Sequence, residues 1–162
     1  MRWLKRKKNI QNTYSEAEQR NRLLTEHFES ICLKCEYGDA IEQLSEQERT
    51  FYMTQILQQE VNNGGFAQFF YNSAGDFSNE IVEAFEKIGA AKTAAICKRA
   101  LSVFPGPVPT DRSMREKWLD DLDCDEIWET CDDAFYDCEE DLAVLTYEYM
   151  HNASISYRLF NA

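Results

Sequence analysis

The sequence predicts an all-α protein, a single compact multi-helix domain of about seven to eight helices. Three observations point there. Apolar residues recur at the helical period along nearly the whole chain. Helix-start signals precede those periodic runs, Ser45-x-x-Glu48 being the plainest. Only three prolines and six glycines occur in 162 residues, too few for the turns of an all-β chain. No alternating run of useful strand length interrupts the pattern. At this length one core should bury about 70% of the surface the unfolded chain exposes.

Taken in order, residues 15–37 place Leu24, Phe28, Ile31 and Cys35 on one stripe, opened by Ser15 and closed near Gly38. The Ser45 box opens a second helix with Met53, Ile56, Leu57 and Val61 inward, and Asn62-Asn63-Gly64-Gly65 ends it. A short apolar turn of helix, Phe66 to Tyr71, follows, with Phe66, Phe69 and Phe70 in the core. Phe77, Ile81, Phe85 and Ile88 then read as one helix stopped at Gly89. An alanine-rich helix runs from Ala91 towards Phe104, before the single clear loop, Phe104-Pro105-Gly106-Pro107-Val108-Pro109. Trp118, Leu119 and Leu122 resume helical spacing. Cys124, Trp128, Cys131, Phe135, Cys138, Leu142, Leu145 and Tyr149 form a heptad-like seam. Asp137-x-x-Glu140 is a cap signal within that seam and predicts two helices bent near Asp137.

Charge divides the chain unevenly. The formal net charge is −12, yet the first 22 residues carry +5, which leaves −17 on the remainder. Residues 1–14 therefore read as a basic N-terminal arm and 15–162 as an acidic all-α domain. The arm begins like a signal peptide, but no apolar stretch follows it, so a cytoplasmic protein with reduced cysteines is expected. No apolar run is long enough to cross a bilayer, and a body of this charge repels nucleic acid and anionic lipid.

The residue types that carry chemistry are sparse. Cys32-x-x-Cys35 has the spacing of half a zinc site, but no second pair accompanies it, and Cys124, Cys131 and Cys138 repeat every seven residues on the apolar seam. Core packing is the expectation for all of them. Asp121-x-Asp123-x-Asp125 imitates the start of a calcium loop, but the sixth position is Glu126 instead of glycine and the stretch reads as helix. His27 and His151 lie near opposite ends of the chain, and no nucleophile elbow, phosphate-binding loop or metalloprotease motif occurs. No metal, cofactor or enzymatic activity is expected.

What stands out is acidic. From Asp120 to Asp141 there are twelve carboxylates in 22 residues with no Lys, Arg or His among them. Two carboxylates 6 Å apart repel by about 0.7 kcal/mol even in bulk water, so the tract works against folding. Read as helix it would span about 33 Å, over which duplex DNA carries about 19 phosphates, roughly half of them facing one side. The density of charge is comparable. Residues Asp120, Asp121, Asp125, Glu129, Asp132, Asp133, Asp137, Glu139 and Glu140 are the candidate contact set for a basic partner.

The string Glu60-Val61-Asn62-Asn63-Gly64-Gly65-Phe66-Ala67-Gln68-Phe69-Phe70-Tyr71-Asn72-Ser73-Ala74-Gly75 resembles a bacterial family of DNA-mimic proteins, and Ile88 to Pro109 and Leu119 to Tyr147 agree with it. The resemblance covers roughly Leu44 to Tyr149. It implies an all-α fold whose acidic surface imitates duplex DNA, and capture of a basic DNA-binding protein such as a helix-turn-helix transcription factor. An immunity or antitoxin protein neutralising a basic nuclease toxin is the alternative, since acidic nuclease inhibitors use the same charge logic with one partner only.

Overall fold

The computed structural model describes residues 14–160, with side chains to Asn152; apart from Tyr14, the basic arm expected at residues 1–14 lies outside the described residues. Seven α-helices and three short 3-10 turns make up the described chain, and no strand occurs among the described residues.

Helix α1 (Glu16–Lys34) starts at a complete capping box: Ser15 accepts from the Glu18 N–H, and Glu18 reaches back to the Ser15 N–H at 2.7 Å. Ser45 and Glu48 form the same box at the start of α2 (Glu46–Tyr71). Between these helices Glu36 and Tyr37 take positive φ, which tightens the connection. Helix α2 is two segments joined at a kink, where Gly64 and Gly65 leave helical geometry. Gly65 (φ 75°, ψ −176°) occupies backbone space that only glycine enters readily. The expected helix end is therefore a change of direction inside one element.

The helix expected from Phe77 to Ile88 is shorter. A 3-10 turn covers Ser73–Phe77 and α3 spans only Ile81–Lys87. The buried Ser78 hydroxyl donates to the Gly75 carbonyl at 2.6 Å, closing a turn that the apolar spacing did not reveal. Helix α4 (Ala91–Leu101) leads into the proline loop, and α5 (Arg112–Asp121) is capped by Asp111. Helix α6 (Asp125–Tyr136) and helix α7 (Leu142–Phe160) confirm the predicted break in the seam. Its cap is Asp141, whose carboxylate accepts from the Val144 N–H, and not the Asp137–Glu140 pair.

Two apolar clusters hold the helices. Phe66, Phe69, Phe70, Phe104, Trp128 and Phe135 centre the larger one, with Trp128 stacked 5.2 Å from Phe70 and donating to the Ala100 carbonyl. Leu24, Ile31, Phe51, Tyr52, Met53 and Phe77 centre the smaller. The six cysteines are free; five are buried and Cys138 is half-buried, as expected for small apolar side chains.

One polar group sits in the midst of this packing. Arg115 of α5 is wholly buried, and its guanidinium donates to the carbonyls of Phe70 (2.7 Å), Asn72 (3.0 Å), Pro109 (2.8 Å) and Thr110 (3.3 Å). It also meets Asp76 at 2.8 Å. One side chain thereby ties the end of α2, the following turn, the proline loop and α5. A Cβ at Gly75 would lie 2.7 Å from Arg115 Nε, so that glycine is space made for the guanidinium. Asn79 pins the same loop, exchanging two hydrogen bonds with the backbone of Val108 (2.8 and 2.9 Å).

Replacing Arg115 with Met should lower the unfolding free energy by at least about 3 kcal/mol, because several buried carbonyls lose their donor together. The check is the urea midpoint, which should fall with its slope unchanged.

Candidate functional site

The acidic tract is divided among three elements. Asp120 and Asp121 end α5, residues 122–124 connect, Asp125 to Asp133 ride on α6, and Asp137 to Asp141 form the α6–α7 loop. The single 33 Å rod is thus corrected: α6 alone is about 18 Å long, with acidic groups at each end. The break comes after α5, where Leu122 and Cys124 turn inward to the core. The calcium-like triplet straddles this connection, with Asp121 ending α5, Asp123 between the helices and Asp125 opening α6, and no group of three or more metal-ligating side chains occurs among the described residues.

Helix α6 sorts its residues by face. Trp128, Cys131 and Phe135 are buried. At 100° per residue, Asp125, Glu126, Glu129 and Asp133 fall on one adjoining strip, and all four are exposed. Asp120, Asp121, Asp137 and Glu139 are exposed as well. Among the described residues, only Glu139 of the nine candidates has a basic partner within 4 Å, Lys92 at 3.1 Å across an exposed pair. Screened pairs of that kind contribute little, so the strip keeps its charge.

Two of the nine are engaged inside the fold. Asp132 is half-buried against the α2 kink, where it accepts from the Phe66 N–H at 2.8 Å. It caps the second segment of α2 from a distant helix. A Cβ on Gly65 would lie 2.2 Å from its Oδ2, so the glycine clears its place. Burial pushes the Asp132 carboxyl above the usual range, the Phe66 N–H opposing and the nearby charges of Asp133 and Glu129 adding. Glu140 is the cap of α4: it accepts from the N–H groups of Lys92 and Thr93 and from the Thr93 hydroxyl, each at 2.8 Å. Burial pushes its carboxyl up, but those bonds outweigh it and hold the group below the usual range.

Asp120 accepts from the Tyr71 hydroxyl at 3.0 Å, and Tyr136 of α6 donates to the Val61 carbonyl at 2.7 Å. The acidic elements are therefore bolted to both segments of the kinked helix. Spacing did not announce Asp132 as a cap and assigned Glu140 to the start of its own helix instead of α4, because the donors they satisfy lie 66 and about 47 residues away.

The two histidines, read as unrelated, are brought to one groove. His27 of α1 and His151 of α7 line a cavity of about 290 Å³ with Leu23, Leu24, Tyr147 and Met150. His27 sets its ring on Phe51 (5.1 Å), and burial pushes its pKa down; His151 stacks on Tyr147.

An all-α scaffold that holds a kinked central helix and an exposed strip of carboxylates defines the class: an acidic all-helical domain. The chain belongs to the DMP19-like protein family, whose family model matches residues 42–153. That span contains both the kink string and the acidic tract, and agrees with the resemblance read from the sequence. No curated protein and no solved structure matches the chain. No described helix is long and apolar enough to cross a membrane.

The two internal carboxylates should separate from the displayed ones in stability. Asp132→Ala and Glu140→Ala should each cost about 1 kcal/mol, whereas D125N, E129Q and D133N should stay within about 0.5 kcal/mol of the parent. Thermal unfolding reads both. The Glu140 contribution belongs to the ionised form, whose folded pKa lies below the unfolded one. It should be full above about pH 5 and fade as pH falls through the folded pKa. Asp132 runs the other way: its raised folded pKa means that its ionisation costs stability as pH rises through the acid range.

Proposed function

We propose that this protein is a DNA mimic, which occupies the nucleic-acid site of a basic DNA-binding protein, such as a helix-turn-helix transcription factor, and blocks or relieves its action. One observation carries the reading: the exposed carboxylates of α6, flanked by those of the α5 end and the α6–α7 loop, stand almost unpaired on packed elements. Membership of the DMP19-like family supports it.

The physical logic is that of a charged template. A groove lined by Lys and Arg binds phosphates through charge-assisted hydrogen bonds and counterion release. Carboxylates held on a rigid helix offer the same partners without the ordering entropy of a flexible tail. The field of the acidic body also draws a basic protein in and turns nucleic acid away. On this reading the protein is a binding protein and not an enzyme, takes no cofactor, and acts in the cytoplasm, where its partner works.

Capture of the partner from lysate at low salt, eluted by a salt step and identified by mass, supplies the assay. Affinity should fall at least about tenfold between roughly 50 and 200 mM salt, and duplex DNA should compete. The triple variant D125N/E129Q/D133N should lose capture while its helicity is unchanged. A flat salt response, or capture indifferent to DNA, rejects the mimic. Recovery of a single nuclease, inhibited at its active site, would favour the immunity reading instead.

A further inference from the structure

The kink of α2 builds a second feature that the acidic strip does not use. Gln59, Glu60, Asn62, Asn63, Gln68 and Asn72 line an open cleft of about 600 Å³, five carboxamides around one carboxylate. The carboxylate is held. Gln68 Nε2 donates to Glu60 Oε2 at 2.7 Å, and Asn72 Nδ2 donates to the same oxygen at 2.8 Å. Gly64 belongs to this arrangement, since a Cβ there would lie 2.3 Å from Gln68 Oε1. The glycine leaves room for Gln68 to lie back across the kink towards Glu60.

The charge of the cleft and the acceptors left free in it decide what it suits. Both bonds to Glu60 fall on Oε2, so Oε1 remains to accept. An N–H of Gln68 and one of Asn72 are spent on Glu60, and their carbonyl oxygens remain to accept too. The lining thus offers carbonyl and carboxylate acceptors beside the amide N–H groups still free, and its one charge is negative. Anions are repelled by it. A lone carboxylate among neutral amides is a poor set for a metal ion, and the described residues hold no group of three or more metal-ligating side chains. A guanidinium offers several donors, no acceptor and weak hydration, whereas an ammonium is a compact and strongly hydrated charge.

We infer that this cleft is a socket for an arginine side chain of the basic partner. The assignment rests on the mimic reading for its partner but not for its chemistry. Its place fits that role: Asp132 and Tyr136 fasten the kink to α6, and Tyr71, exposed one residue before Asn72, is bonded to Asp120. The strip would then supply steering and general affinity, and the socket the discrimination between one basic protein and another.

The test uses the full chain and two probes, N-acetyl-arginine amide and N-acetyl-lysine amide at equal ionic strength. Side-chain carboxamide signals of Asn62, Asn63, Gln68 and Asn72 are followed by NMR. The arginine probe should shift them saturably, with half-saturation at least about fivefold below that of the lysine probe. Glu60→Gln keeps an oxygen for Gln68 and Asn72 but removes the charge, and should weaken arginine binding about tenfold. N63A, at an exposed position, should weaken it less, with the backbone spectrum of both variants unchanged. Equal response to the two probes, or an E60Q variant that binds arginine as the parent does, overturns the socket. That result leaves the mimic standing, because the salt and DNA-competition assay depends on α6 and not on this cleft.

Discussion

A buried guanidinium is the constraint on which the rest of this fold depends. Arg115 has no exposure to water, and its donors are distributed over four carbonyls from two stretches of chain, the end of α2 and the proline loop, with Asp76 of the intervening turn beside them. Leaving a charge unpaired at such a site would cost several kcal/mol, so those stretches must converge on it. Once they do, the end of α2, the proline loop and α5 have one relative placement. That placement sets the α5 end, with Asp120 and Asp121, beside Tyr71.

The glycines of the central string work to the same end. Gly64, Gly65 and Gly75 each vacate the space that one polar side chain fills: Gln68, Asp132 and Arg115. Each of those side chains then satisfies backbone or carboxylate groups that the kink or the turn would leave without partners. The string is thus a set of polar clamps between aromatic residues in this chain.

Carboxylates in the acidic tract divide by the same principle. Asp132 and Glu140 turn inward and act as caps at a distance, so part of the electrostatic cost of the tract is offset by backbone donors. Asp125, Glu129 and Asp133 remain outside with no basic neighbour within 4 Å among the described residues. A tract that looked uniform in sequence is therefore two populations, one for folding and one for display.

Helical periodicity, the Ser45–Glu48 capping box and the scarcity of proline and glycine were enough to determine the all-α class, the starts of α1 and α2, and the break within the acidic seam. These features rest on interactions within a few residues, which spacing records directly. The inward face was legible for the same reason: Met53, Leu57, Val61, Phe66, Phe69 and Phe70 are buried as the period required. What tertiary structure alone decided was partnership over long separations. Arg115 reads as one basic residue on a polar helix, and Ser78 and Asn79 as ordinary helix residues, until the loops they pin are in place. The two histidines share a groove only because α1 packs on α7. Whether a carboxylate caps a helix or faces solvent depends on which backbone N–H groups arrive beside it, and that is a property of the packed chain.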